Sequence, residues 1–311
     1  MSKTLTIALT TYNRPNFLQE SIKSILNQTF KDFDLVILDN GSTNETTSVI
    51  HSFNDSRISC VRNQTNDLEF VNNAFSYTKN DFLMIFHDDD IMEPTMLEEM
   101  IKIIKGDKEI NTISCSINLI NSNSKNLNKV RPRIIKDKVW KKKSFIKQYL
   151  FSGDIIPCPS TIFKSSLIKK HDLKYDWKVG PAVDLFLFFQ INLMKGKMIL
   201  LKKPLLNYRI HNTQHSNLNR ISLEYDIRPH AIKLFKNHNL NKIAKQYSQA
   251  SLGLILQILI NDFFVGKLKF INFKNELIKL INNKIKFNIY TIYWLFFGTF
   301  RGLKNLIFKF I

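Results

Sequence analysis

Three aspartates in a row, Asp88-Asp89-Asp90, follow the apolar run Phe82-Leu83-Met84-Ile85-Phe86. Adjacent carboxylates raise one another's proton affinity unless a cation or solvent offsets their charge. Hard oxygen donors of this kind suit Mg²⁺ or Mn²⁺, which complete their shells with water and substrate phosphate. The run could also be an acidic turn capping a helix near Pro94, although three adjacent acids exceed what a cap requires. Asp39 closes a second apolar run, Asp34–Leu38, where it can accept N–H groups from a ligand or cap the helix after Gly41-Ser42-Thr43. Asp184 precedes Leu185-Phe186-Leu187-Phe188-Phe189, a run too apolar to be exposed. It is either a plain N-cap or a carboxylate aimed from a rigid element into a cleft, as a general base requires. His211 follows Arg209 in Asn207-Tyr208-Arg209-Ile210-His211. It is either structural or half of a phosphate-neutralising pair.

These side chains need elements to hold them. Leu5–Thr10, Asp34–Leu38, Ile58–Arg62 and Asp81–Phe86 read as short buried strands. Helices are expected over Asn16–Gln28, from Ser42 or Thr43 to Phe53, and over Glu69–Thr78. Pro15 opens the first of these, and Phe17, Leu18, Ile22, Ile25 and Leu26 recur at helical spacing. Strand and helix alternate over short loops, which argues for an α/β architecture with a mostly parallel sheet. Ligands bind at the carboxyl ends of such strands. Thr11-Tyr12-Asn13-Arg14, Asp39-Asn40 and His87 to Asp90 all fall there. Further on, a helix is expected from Pro94 to Ile104, a strand at Thr112–Leu119 and a loop from Asn121 to Asn128. Helices at Ser144–Phe151 and Asp184–Met194 and a short strand at Met198–Leu201 follow. Beyond His215 the chain turns Ile/Leu/Phe/Lys/Asn-rich and helical, which sets a domain boundary between 1–215 and 216–311.

Taken together, Thr10-Thr11-Tyr12-Asn13-Arg14, Ser21-Ile22-x-Ser24-Ile25-x-x-Gln28-Thr29-Phe30, Asp39-Asn40-Gly41-Ser42-Thr43 and Asp88-Asp89-Asp90 resemble family 2 glycosyltransferases of the GT-A fold. Gly180-Pro181-x-x-Asp184 resembles that family's acceptor-side motif, and Pro204-Leu205-x-x-Tyr208-Arg209-x-His211 its closing motif. The resemblance implies an inverting transfer of one sugar from a nucleotide-sugar donor, UDP-linked by preference. Thr11, Tyr12 and Arg14 would line the nucleotide pocket, with Asp39 on the base and Asp88 and Asp89 on the donor side. Asp90 and Asp88 would hold Mn²⁺ or Mg²⁺ as the DxD acids, with His211 near metal or diphosphate, and Asp184 would deprotonate the acceptor hydroxyl. His87 departs from the pattern, standing where an apolar residue is usual.

Charge bounds the partners. Over 311 residues, 45 Lys/Arg against 26 Asp/Glu give a formal net charge of +19. The surplus sits in two blocks, ten Lys/Arg against one Asp over Lys125–Lys147 and 13 against two acids over Ala231–Ile311. A polyanionic partner is expected. Nucleic acid would call for basic residues interleaved with stacking aromatics or a reading motif, and neither is visible. The uncharged run Phe287–Phe300 is shorter than the ~20 residues that span a bilayer. With its basic surroundings it is the pattern of an interfacial anchor on an anionic membrane surface, or else of a helix packing on the catalytic domain or a second subunit. Three scattered cysteines and an N-terminus without a signal-peptide pattern make a reducing cytoplasm the expected compartment. The expected protein is therefore a cytoplasmic transferase, peripheral on the inner membrane face, that extends a surface glycan such as a lipopolysaccharide, capsule or lipid-linked oligosaccharide. A catalytically inactive scaffold is the alternative, and homo-oligomerisation is open.

Overall fold

The computed structural model of the chain describes residues 3–153, 156–211, 220–286 and 288–296. The elements in chain order are β1 (Leu5–Thr11), α1 (Pro15–Leu26), β2 (Phe33–Asp39), α2 (Asn44–His51), β3 (Ile58–Arg62), β4 (Phe82–His87) and β5 (Ile91–Met92). They continue with α3 (Met96–Gly106), β6 (Ile110–Asn121), β7 (Asn126–Arg131), β8 (Lys138–Trp140), α4 (Ser144–Ser152), β9 (Ile162–Lys164) and α5 (Ser165–His171). Last come α6 (Val183–Leu193), β10 (Lys197–Ile210), α7 (Arg220–Asn237), α8 (Asn241–Phe264) and α9 (Phe270–Asn282). The chain divides into two compact units, one of Met1–Lys142, Ile155–Trp177 and Ile191–Gln214, the other of Lys143–Asp154, Lys178–Gln190 and His215–Ile311.

The first unit carries a ten-stranded sheet in the order β3-β2-β1-β4-β9-β6-β10-β5, with β7 on β6 and β8 on β10. The pairs β1–β2, β1–β4, β2–β3 and β6–β10 are parallel, and β9 joins β4 and β6 antiparallel. β1, β2 and β4 are buried nearly throughout, which is why they read as apolar runs rather than as alternating ones. Leu18, Ile22 and Ile25 of α1 and Leu97, Met100, Ile101 and Ile104 of α3 share one core with Ile7, Leu35 and Met84 of the sheet.

Three expectations change. Glu69–Thr78 is not an α-helix but 3-10 turns over Leu68–Ser76, because Asp67 caps Glu69 N and the Asn72 amide pairs with the Tyr175 backbone. The stretch expected as a loop from Asn121 is a tight hairpin, closed by Asn121 Oδ1 accepting Asn123 and Lys125 N–H groups, and β7 returns along β6. The short strand at Met198 extends to Ile210, pairing with β6 through irregularities on both sides of Pro204.

In the second unit α8 buries Leu252, Ile255, Leu256 and Leu259 against Ile221 of α7 and Leu280 of α9. Tyr149, Phe189, Phe235 and Tyr247 form an aromatic group with ring centroids between 5.3 and 6.3 Å apart. Among the described residues no helix is long and apolar enough to cross a membrane. Of the tail expected as an anchor, Phe287 and residues 297–311 lie outside the described residues.

Gly196 turns into β10 with φ +119, and a Cβ there would stand 2.7 Å from the Glu109 carbonyl and 2.6 Å from the Asn111 amide. Gly106, at the end of α3, has nothing within 4 Å of such a Cβ. Gly196→Ala is expected to destabilise the protein by about 2 kcal/mol or more, and Gly106→Ala to leave it unchanged or gain up to about 1 kcal/mol, both read by urea denaturation.

Candidate active site

Register brings the carboxyl ends of β1, β2 and β4 side by side, with Thr11 opposite Asp39 and Thr10 opposite His87. The chain leaves β1 through Asn13, whose left-handed backbone (φ 53) lets its side chain accept the Thr43 N–H while its own N–H donates to Ser42. That links the loop after β1 to the loop after β2.

Asp88 is buried at the end of β4. Its Oδ2 accepts the Thr11 hydroxyl at 2.7 Å and the Tyr12 N–H at 3.3 Å, and its Oδ1 accepts Arg14 Nη1 at 3.1 Å. Arg14 also reaches Asp89 Oδ2 at 3.0 Å, which His211 Nε2 meets from the other side at 2.9 Å. Burial, reinforced by the Asp89 charge, pushes the Asp88 carboxyl up to about 6 against the pull of Arg14 and Thr11. Asp90 is fully buried; burial and the Asp89 charge raise its carboxyl well above the usual range, although the Arg209 N–H donates to Oδ1 at 3.0 Å. Among the described residues its Oδ2 has no hydrogen-bond partner. One ligand atom each from His87, Asp89 and Asp90 lies within 4.8 Å of the others.

Arg209 is fully buried and ties this loop down. Nε donates to the Asp89 carbonyl, Nη1 to the Ser122 carbonyl and the Ser124 hydroxyl, and Nη2 to Glu20 of α1 at 2.8 Å. The guanidinium lies 4.5 Å from the Phe17 ring centroid, and the His211 ring packs on the same phenyl at 5.0 Å. Its donors are therefore engaged with protein acceptors. Sequence reading placed Arg209 beside a possible phosphate and missed this anchoring role, because its partners lie far off in the chain. It also missed His87 as a donor; the only signal was that a histidine replaces the usual apolar residue.

Asp39 Oδ1 accepts the Ser42 N–H at 2.9 Å, while Oδ2 is buried without a hydrogen bond among the described residues, in an ion pair with Arg62 Nε at 3.7 Å. The helix that follows has Thr43 as its N-cap residue, so Asp39 shapes the turn rather than capping α2. The structure thus gathers Thr11, Tyr12, Arg14, Asp39, Asp88, Asp89, Asp90 and His211 around neighbouring strand ends. Asp184 belongs to the second unit. It is the second residue of α6 rather than its N-cap, its Oδ1 accepts the Leu185 N–H at 2.7 Å, and desolvation pushes its carboxyl up to about 6.

A mixed, mostly parallel sheet flanked by helices, with acids gathered at a strand end, is the architecture of the GT-A fold, and known proteins agree. Residues 6–169 match the model of glycosyl transferase family 2, so the chain belongs to that family and is a glycosyltransferase. It is 30% identical over 214 residues to an uncharacterized glycosyltransferase of Methanocaldococcus jannaschii, covering 67% of this chain and 71% of that one. It is 27% identical over 212 residues, 66% of this chain and 64% of the relative, to the GalNAc(5)-diNAcBac-PP-undecaprenol beta-1,3-glucosyltransferase of Campylobacter jejuni. Among solved structures, S. aureus TarS 1-349 in complex with UDP-GlcNAc superposes with TM-score 0.67 at 15% identity, over 90% of this chain and 79% of that one. The mannosyltransferase PcManGT from Pyrobaculum calidifontis, in complex with GDP-Man and Mn²⁺, gives 0.56 at 14% identity, over 97% and 88%.

Removing the Arg209 guanidinium leaves Glu20 and the acid loop without their buried cation. Arg209→Met is expected to cost about 3 kcal/mol of stability, measured by urea denaturation. Arg209→Lys recovers little of it, because one ammonium cannot meet four separated acceptors.

Proposed function

We propose that the chain is an inverting, metal-assisted transferase that moves one sugar from a UDP-sugar to a hydroxyl of a growing surface glycan. The observation that carries this reading is the unpartnered, fully buried Asp90 Oδ2 beside Asp89 and His87, at the strand end that also holds the Thr11–Arg14 loop. The donor set fits a divalent ion: two carboxylates and an imidazole, one oxygen lacking any proton donor. His87, Asp89 and Asp90 would hold it, with Asp88 fixing the nucleotide loop through Thr11, Tyr12 and Arg14. When bound, such an ion neutralises the charge that develops on the departing nucleoside diphosphate. An imidazole among the donors favours Mn²⁺ over Mg²⁺, since Mg²⁺ is the harder ion and prefers oxygen.

Asp39 offers Oδ2, which faces Arg62 but accepts no hydrogen bond among the described residues, to a nucleobase N–H, which uracil and thymine both present; TarS with UDP-GlcNAc supports uracil as the first choice. Asp184 acts as the base that takes the acceptor proton, and its raised proton affinity suits that task near neutral pH. A single displacement on the sugar's far face then inverts the anomeric centre. The acceptor is a glycan on a lipid carrier or lipid core, a reading supported by the undecaprenol-linked substrate in the name of the C. jejuni relative. In this reading residues 1–215 form the catalytic domain and 216–311 a basic helical region, working on the inner face of the cell membrane. The scaffold alternative is disfavoured by the intact set of acids.

Nucleoside diphosphate release from UDP-, dTDP- and GDP-sugars tests the donor and the metal. Turnover of the UDP-sugar is expected with Mn²⁺, weaker with Mg²⁺, abolished by EDTA and by Asp90→Ala; His87→Asp should narrow the gap between the two ions. Absence of both turnover and nucleotide binding by calorimetry would sink the transferase reading in favour of the scaffold.

Asp184 must be ionised to work, and its carboxyl sits at about 6. The transfer rate should therefore be flat above that pH and fall about tenfold for each unit below it. Asp184→Asn should lower transfer by about 10² to 10⁴ with donor affinity kept. Because folding raises this carboxyl, its ionised form burdens the native state at high pH, so Asp184→Asn should hold or raise the unfolding temperature at alkaline pH.

A further inference from the structure

One face of α9 stays open to solvent. Phe273, Leu277 and Leu280 turn into the cluster shared with α8, whereas Phe270, Ile271, Ile278 and Ile281 remain 67, 58, 45 and 60% exposed. At 3.6 residues per turn these four fall within one stripe of about 100°, and Lys274 lies inside it. The helical segment 289–296 repeats the arrangement. Thr291 and Trp294 are buried, and Trp294 Nε1 donates to the Leu150 carbonyl at 3.1 Å, while Ile289, Ile292 and Phe296 are 69, 58 and 61% exposed. Isolated exposed apolar residues are ordinary, but two successive helices that each keep a large apolar stripe outside are not.

Charge identifies the occupant. Between residues 264 and 296 stand Lys267, Lys269, Lys274, Lys279, Lys284 and Lys286 against a single acid, Glu276, which is paired with Lys279. A second copy of this face would set lysines against lysines, since a two-fold interface opposes each patch with itself. Nucleic acid would answer the charge but offers no apolar layer to receive exposed isoleucines. An anionic bilayer offers both, phosphate headgroups at the level of the ammonium groups and acyl chains below. We infer that the outer face of α9, with that of 289–296, docks the protein on an anionic lipid surface, lying in the interface without spanning it. The transferase reading enters only in what the docking is for, which is to meet a lipid-carried acceptor; the docking itself needs no donor.

Co-sedimentation of the full chain with vesicles at low salt tests it. Binding is expected to vesicles of phosphatidylcholine and phosphatidylglycerol in equal parts and to be far weaker with phosphatidylcholine alone. Lys274→Gln with Lys284→Gln should weaken partitioning about 30-fold, from about 1 kcal/mol per lysine. Ile278→Ser with Ile281→Ser should weaken it about tenfold or more. Since all four side chains are exposed, neither pair should disturb folding, checked by circular dichroism. The inference is overturned if the wild type ignores both vesicles, binds both equally, or forms a dimer in sedimentation velocity that the isoleucine pair dissolves. Donor turnover by the same variants, expected at the wild-type level, separates the two readings. Lost docking with intact turnover removes this inference alone, and docking without any turnover removes only the transferase reading.

Discussion

Carboxylates at Asp88, Asp89 and Asp90 share one buried strand end, and keeping them there is the constraint around which the first unit is arranged. Each buried ion loses solvation worth several kcal/mol unless close, well-oriented partners replace it. Two arginines do so from separate directions. Arg14 comes from the loop after β1 and bridges Asp88 and Asp89. Arg209 comes from β10, donates through its backbone N–H to Asp90 and through its side chain to the Asp89 carbonyl. The same guanidinium holds Glu20 of α1 and the hairpin turn at Ser122–Ser124, so the acid loop, a helix, a hairpin and a strand share one buried cation. Phe17 completes the arrangement by presenting its ring to both Arg209 and His211.

How much of this was legible in the sequence depended on the range of the interactions. β1, β2 and β4 could be read because both faces are buried and nearly every position is apolar, and α1 because Leu18, Ile22 and Ile25 mark a single stripe. The apolar run that announces β10 covers only Met198–Leu201, and Lys202, Lys203 and Pro204 follow it. The strand survives by distorting its register on either side of that proline and resuming against β6, which no local signal announces. The hairpin after β6 hid in an Asn/Ser/Lys-rich stretch, since the side chain of Asn121, not an apolar pattern, closes it.

The site was legible in the same uneven way. A triplet of aspartates after an apolar strand is a local signal, and so is an aspartate closing another. The role of Arg209 was not local at all. Its partner Glu20 lies 189 residues away in the chain, and Ser124 lies 85 residues away. An arginine beside a histidine suggests phosphate until those acceptors are known to be waiting for it. Asp184 was ambiguous for the opposite reason: a helix start explains an aspartate too easily, and only its position inside α6, together with desolvation, takes it out of the capping role.

The charge count at the strand end bears on the proposed ion. The chain is strongly cationic overall, but exposed charges are screened beyond about 10 Å at ordinary ionic strength. Only groups in contact matter. Four carboxylates (Glu20, Asp88, Asp89 and Asp90) face two guanidiniums, Arg14 and Arg209. His211 adds a ring whose charge depends on its proton. With every carboxyl ionised two negative charges are left over, and the surplus falls on the side of Asp90, whose Oδ2 no donor meets among the described residues and whose raised proton affinity marks the same deficit of positive charge. A monovalent cation or a third arginine, each carrying one positive charge, would answer only half of it. The proposed divalent ion would close the count while keeping open coordination positions for phosphate oxygens, as the proposed donor's diphosphate would need.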